Sequence, residues 1–231
     1  MKTIGLIGGT SWESTLEYYR LLNELAKERL GGLHSAKILM YSVDFGPVEE
    51  AMRSGDWQAV AQELTHGAQC LEQGGASFFL LCSNTTHKCA DPVAAAVDIP
   101  LLHIGRATGR EIQRLGLHRA GLLGTRFVMQ EEFLKGCLEA EYGLELLAPE
   151  AADQDRLNSI IFEELCLGRF TDASRRVFQT CIEQLKKRGA QCVILGCTEI
   201  PMLIKAEDSC LPCIDTTALH ARAALDLALA D

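Results

Sequence analysis

Short unbroken apolar runs and longer apolar stripes at helical spacing take turns along this chain. Residues 3–7 form such a run and predict a strand, after which Gly8-Gly9-Thr10-Ser11 turns the chain into a helix over 13–30, with Leu16, Tyr19, Leu22 and Leu25 on one face. A second strand is predicted at 37–43, a helix at 57–73 and a fully apolar strand at 76–81. Beyond Pro100 the pattern predicts a strand at 101–104, a helix at 108–115, a strand at 120–123 ended by Gly124-Thr125, and a helical stretch to about Ala140. A helix at 173–188 and a strand at 192–195 follow. Strands alternating with amphipathic helices predict an α/β fold with parallel sheets, because each parallel pair needs a crossover and the crossover helix covers the sheet.

The pattern also repeats. Gly75-Ala76-Ser77-Phe78-Phe79-Leu80-Leu81-Cys82-Ser83-Asn84-Thr85 aligns with Gly189-Ala190-Gln191-Cys192-Val193-Ile194-Leu195-Gly196-Cys197-Thr198-Glu199, so Ser83 falls on Cys197 (197 − 83 = 114). Gly5-Leu6-Ile7-Gly8 aligns with Gly121-Leu122-Leu123-Gly124 (121 − 5 = 116). Two matches at nearly one offset predict an internal duplication. The expected lobes are residues 1–100 with the tail 212–231, and residues 101–211, related by a pseudo-twofold with one cleft between them.

Composition narrows the function. The 231 residues are about twice the repeat offset, and 48% of them are hydrophobic, ample for two cores. A net charge of −9 leaves no basic field for nucleic acid, and Lys186-Lys187-Arg188 is only a short helix-end cluster. No secretory h-region opens the chain and no run is long enough to span a bilayer, so a cytoplasmic protein is expected, without membrane partners. Of the ten cysteines, Cys70, Cys82, Cys89, Cys137, Cys166, Cys181 and Cys192 lie inside hydrophobic patterns and read as small core residues of a reducing compartment.

Ligands of open parallel sheets bind beyond the carboxyl ends of the strands, where Ser83 and Cys197 lie. From opposite walls of one cleft they would address opposite faces of a bound carbon, the arrangement that stereoinversion needs. Asn84-Thr85-Thr86 and Thr198 follow at probable helix starts, whose N–H groups hold carboxylates and lower a thiol pKa, so Cys197 is expected to be a usable base.

These residues resemble the aspartate/glutamate racemases that work without pyridoxal phosphate. The resemblance rests on Gly5-Leu6-Ile7-Gly8-Gly9-Thr10-Ser11-Trp12-Glu13-Ser14, Asn84-Thr85-Thr86-His87, Glu163-Glu164-Leu165-Cys166-Leu167-Gly168, Gly196-Cys197-Thr198-Glu199-Ile200 and Asp215-Thr216-Thr217, spread over almost the whole chain. It implies two Rossmann-like lobes, a homodimer, an amino-acid substrate, no cofactor and a catalytic cysteine in each lobe. Here the first cysteine position is Ser83, with Cys82 one residue earlier and facing the other side by strand alternation. The chain thus resembles the branch in which a hydroxyl replaces the first thiol and Cys197 serves the L-amino acid. Carried over at matching positions, Thr10, Met52, Asn84, Thr85, Thr198 and Glu199 line the site, with backbone donors of the last four on the α-carboxylate. Thr10 stands where Met is usual and Met52 where Gln is usual, which leaves the substrate side chain open.

Other signals point nowhere specific. Cys210-Leu211-Pro212-Cys213 lacks the second pair or histidine that zinc needs, so no metal is expected, and neither G-x-G-x-x-G nor G-K-[ST] occurs. His87 reads as a structural or solvent-facing imidazole. A second substrate carboxylate would need a cation, with Arg20, Arg53, Lys88 and Arg126 as candidates. Besides racemisation, a cofactor-free decarboxylase or cis-trans isomerase and a catalytically degenerate amino-acid-binding protein stay open.

Overall fold

The first apolar run becomes β1 (Ile4–Gly8), followed by α1 (Trp12–Leu30), β2 (Ile38–Ser42), α2 (Phe45–Ser54), α3 (Trp57–Gln73), β3 (Phe78–Leu81), a 3-10 turn over Thr85–Cys89 and α4 (Ala90–Ala94). The computed structural model describes residues 1–230 and divides the chain into two units, Met1–Ile104 with the C-terminal segment from His220, and Gly105–Leu219. The first unit holds a parallel three-stranded sheet in the order β2-β1-β3.

From α5 (Ile104–Arg114) the chain continues through β4 (Arg119–Gly124), α6 (Arg126–Gln130), α7 (Glu132–Tyr142), β5 (Glu145–Leu147), α8 (Ala151–Glu163), a 3-10 turn at Leu165–Leu167 and α9 (Asp172–Lys187). Next come β6 (Cys192–Gly196), α10 (Ile200–Leu203), a 3-10 turn at Ala206–Asp208, β7 (Cys213–Asp215) and α11 (Thr216–Leu229). The second sheet is parallel, in the order β5-β4-β6-β7.

The repeat is visible in the strand register of each sheet. Gly5 pairs with Phe79 and Gly121 pairs with Val193, the same pairing carried forward by 116 (121 − 5) and 114 (193 − 79) residues. Both strands carry glycine there for one reason. A Cβ on Gly5 would lie 3.0 Å from Leu71 Cδ1, and one on Gly121 2.9 Å from Leu185 Cδ1, so each helix leucine packs directly onto strand backbone.

Apolar strands buried on both faces are what parallel sheets require. One face of the first sheet packs Ile7, Phe79 and Leu81 against Val60 and Leu64 of α3. The other packs Ile4, Leu6, Phe78 and Leu80 against Tyr18 and Leu22 of α1 and Ala221 and Leu225 of α11. In the second unit Leu123, Val193 and Leu195 pack with Phe178, Ile182 and Leu185 of α9. No helix among the described residues is long and apolar enough to cross a membrane.

Several expectations are corrected. Of the predicted α1 face, Leu22 is buried and Leu25 packs against the core, but Leu16 and Tyr19 are exposed, and Thr15, Tyr18 and Ala26 are buried in their place. The cause is local: Thr15 Oγ1 donates to Ser11 O at 2.8 Å and accepts Gly9 N–H at 2.8 Å, which turns its face inward. Residues 101–104 form no strand, because Leu101 makes only a bridge to Phe79 and Ile104 already opens α5. The tail stays with the second unit past 212, since β7 pairs with β6, and the return falls at His220 within α11. Patterning also missed α2, α8, α11 and the short strands β5 and β7.

Candidate active site

In the first unit the β1–α1 turn is held by backbone that only glycine can supply. Gly9 has a φ of +88°, and a Cβ there would come within 2.3 Å of Val43 O. Ser11 caps α1 by accepting Ser14 N–H. Thr10 is 7% exposed, yet its hydroxyl has no hydrogen-bond partner, and neither does Glu13 Oε2 three residues on. Buried oxygens without donors are costly unless a ligand or water supplies one. Glu13 received no role from the sequence; only the burial of its unpartnered Oε2 singles it out.

At the end of β3, Cys82 packs with Ile4, Leu6 and Phe78 on the α1 side, and burial pushes its thiol far above the ordinary range. Ser83 follows, half-buried, at the start of the turn carrying the buried Asn84 and Thr85. Its carbonyl accepts from Thr86 Oγ1 at 3.0 Å and faces His87 Nδ1 at 2.8 Å. The turn thus folds back on Ser83 through two side chains. Met52, 4% exposed, sits in the apolar cluster of Ile7, Val48 and Val60.

In the second unit Cys197 ends β6 with Thr198 and Glu199 buried beside it. The Cys197 thiol donates to Glu199 Oε2 at 2.9 Å, and Thr198 Oγ1 donates to the same oxygen at 2.9 Å. The expected lowering of the thiol pKa by a helix start is not what the structure shows. Burial, then the Glu199 charge, then Cys166 hold the Cys197 thiol well above its ordinary value, and the Glu199 backbone N–H opposes them only in part. The helix that follows has four residues, too few for a strong dipole. Cys197 therefore rests as a thiol hydrogen-bonded to Glu199 Oε2.

The other motifs are structural supports. Thr216 Oγ1 donates to Leu195 O at 2.9 Å, and Asp215 Oδ1 accepts the Thr217 and Ala218 N–H groups, so β7 and α11 brace the end of β6. Glu163 to Gly168 forms the connection to α9, with Glu164 Oε2 accepting from Ser174 Oγ at 2.5 Å. Among the candidate cations Arg20 pairs with Glu17 and Glu24, Arg53 with Glu49 and Arg126 with Asp155, while Lys88 lies 4.0 Å over the Trp57 ring. Cys210 and Cys213 carry no disulfide, and no group of three His, Cys, Asp or Glu among the described residues comes together to hold a metal.

Comparison with known proteins gives a consistent picture. The Asp/Glu/hydantoin racemase family model matches residues 7–224. A Yersinia pestis crystal structure named as a candidate Asp/Glu racemase is 48% identical with a TM-score of 0.92, each chain covered completely. An aspartate racemase homologue from Pyrococcus horikoshii is 34% identical with a TM-score of 0.85 over 99% of both chains. The broad specificity amino-acid racemase RacX of Bacillus subtilis is 26% identical over 78% of this chain and 77% of its own.

Proposed function

We propose, because this chain belongs to the Asp/Glu/hydantoin racemase family, that it is a cofactor-independent racemase of aspartate, glutamate or a related amino acid, with Cys197 and Ser83 on opposite faces of the α-carbon. Membership makes it an isomerase of the amino-acid racemase type. The observation that carries the finer reading is the Cys197 thiol on Glu199 Oε2 at 2.9 Å, at the end of the strand that repeats the one before Ser83.

In this reading Glu199 takes the thiol proton as substrate binds. The Cys197 thiolate then removes the α-proton of the L-amino acid, and the electron pair of that C–H bond stays on the α-carbon. The carbanion takes its proton from water on the Ser83 side, directly or relayed through the Ser83 hydroxyl, which regains a proton as it gives one, because a serine alkoxide is inaccessible near neutral pH. Glu199 returns its proton to solvent and the Ser83 side takes one back. Backbone N–H groups of Asn84, Thr85, Thr198 and Glu199 hold the α-carboxylate. The α-ammonium has donors to offer the Thr10 hydroxyl and Glu13 Oε2, which have no protein partner. Met52, among apolar side chains, supports a contact without hydrogen bonding. The family resemblance supports a homodimer, which light scattering checks.

A panel of L- and D-amino acids in D2O tests the reading, with α-hydrogen exchange followed by NMR and inversion by chiral chromatography. Exchange of one enantiomer faster than its inversion is expected, and Cys197→Ala abolishes both. Activity that survives Cys197→Ala, or carbon dioxide release from a malonate-type acid without amino-acid exchange, rules it out.

A further inference from the structure

The Ser83 turn is held by an imidazole whose protons are dictated by its neighbours. His87 is fully buried, with Nε2 accepting Ile104 N–H at 3.1 Å, so Nε2 carries no proton. Its Nδ1 lies 2.8 Å from the Ser83 carbonyl, so Nδ1 carries the proton and donates. His103 stands edge-on to the ring with centroids 4.6 Å apart, and His220 lies at 5.9 Å. His220 is fixed the same way: Nε2–H donates to Leu102 O at 2.7 Å and Nδ1 accepts the Tyr18 hydroxyl at 2.9 Å. Ile104 and His220 are also the residues where the chain leaves and re-enters the first unit. One buried ring system therefore joins those two points to the Ser83 peptide.

We propose that His87 is the positioning residue of the Ser83 face: its Nδ1–H holds the Ser83 carbonyl, through the planar peptide it sets the direction of the Asn84 N–H, and it anchors the backbone from which the Ser83 hydroxyl projects. A peptide's C=O and N–H point opposite ways, so a carbonyl drawn into the turn sends the Asn84 N–H to the other side. Thr86 Oγ1 alone leaves that plane held by one donor where two act now. This inference rests on the racemase reading and assigns His87 no contact with substrate. Burial and the neighbouring His103 and His220 keep the ring neutral, in accord with the hydrogen bonds.

The test separates the two half-reactions at saturating substrate. His87→Gln places its amide near Nε2 and loses the donor to Ser83, whereas His87→Asn keeps an N–H near Nδ1. In His87→Gln, inversion should fall about 10²-fold while the α-hydrogen exchange catalysed by Cys197 stays within about threefold of wild type. His87→Asn should recover most of the lost inversion, with thermal melts confirming that both variants fold. Exchange and inversion falling in equal proportion, or inversion unchanged in His87→Gln, overturns the positioning role alone. A wild-type protein that exchanges no amino acid removes the racemase reading and this inference with it.

Discussion

The Cys197 thiol and the Glu199 carboxylate share one proton across 2.9 Å, and the carboxylate that would accept this proton also keeps the thiol from ionising. In the proposed mechanism this proton crosses from sulfur to carboxylate before the α-proton is removed. Glu199→Gln keeps the shape but can neither accept the proton nor repel the thiolate. Racemisation should fall by about 10²- to 10⁴-fold. Alkylation of Cys197 by iodoacetamide should move the other way, becoming faster near neutral pH because the thiol pKa drops. A variant in which both rates fall would show that Glu199 only braces the strand end.

Ser83→Cys restores a thiol at the position that the repeat equates with Cys197. Both enantiomers should then exchange their α-hydrogen at comparable rates, where the wild type is expected to favour one. Deuterium incorporation into each pure enantiomer reads this directly, and unchanged asymmetry would place Ser83 away from the reacting carbon.

Thr10→Val is isosteric and removes a hydroxyl that has no protein partner. The free protein loses no hydrogen bond, so Tm should hold or rise slightly. If substrate supplies the missing donor, KM should rise about tenfold, the worth of one hydrogen bond. A drop in Tm with unchanged KM would mean that the hydroxyl serves the fold.

His87 and His220 tie stability to pH. Burial lowers the pKa of His220 to about 3, and burial with the neighbouring histidines lowers that of His87 as well. A base with its folded pKa below its unfolded value of about 6.5 is stabilised in its neutral form, so the contribution is complete above that pH. It is lost as pH falls from about 6.5 toward the folded values, by about 1.4 kcal/mol per pH unit for each histidine. Urea unfolding between about pH 7 and pH 4 should show this slope, and His220→Gln should flatten it even though it is less stable at neutral pH. An equal slope in that variant would assign the acid sensitivity to other groups.

Much of the molecule was legible in the chain. Gly5 within β1 and Gly121 within β4, the apolar runs of β3 and β6 and the offset between them were legible because each reports a local requirement: a strand buried on both faces, or a helix leucine seated on bare backbone. The strands β5 and β7 have three residues each, too short for periodicity to register. The α1 face was misread at Leu16 and Tyr19 because its leucines and tyrosines mark two overlapping stripes, and the hydrogen bonds of Thr15 choose between them.

The sequence by itself determined the α/β class, the duplication and the alignment of Ser83 with Cys197, which follow from residue type and spacing, and its motifs carried the resemblance to the family. Only the tertiary structure decided which titratable groups are held away from their ordinary pKa values. Glu199 lies two residues from Cys197, but its carboxylate raises the thiol pKa only because both are buried and Oε2 faces the sulfur. His87 and His220 are 133 residues apart (220 − 87) and become one neutral cluster only when the chain returns to the first unit. Spacing along a chain reports which faces are buried, whereas desolvation and charge act through space, between groups that folding alone brings together.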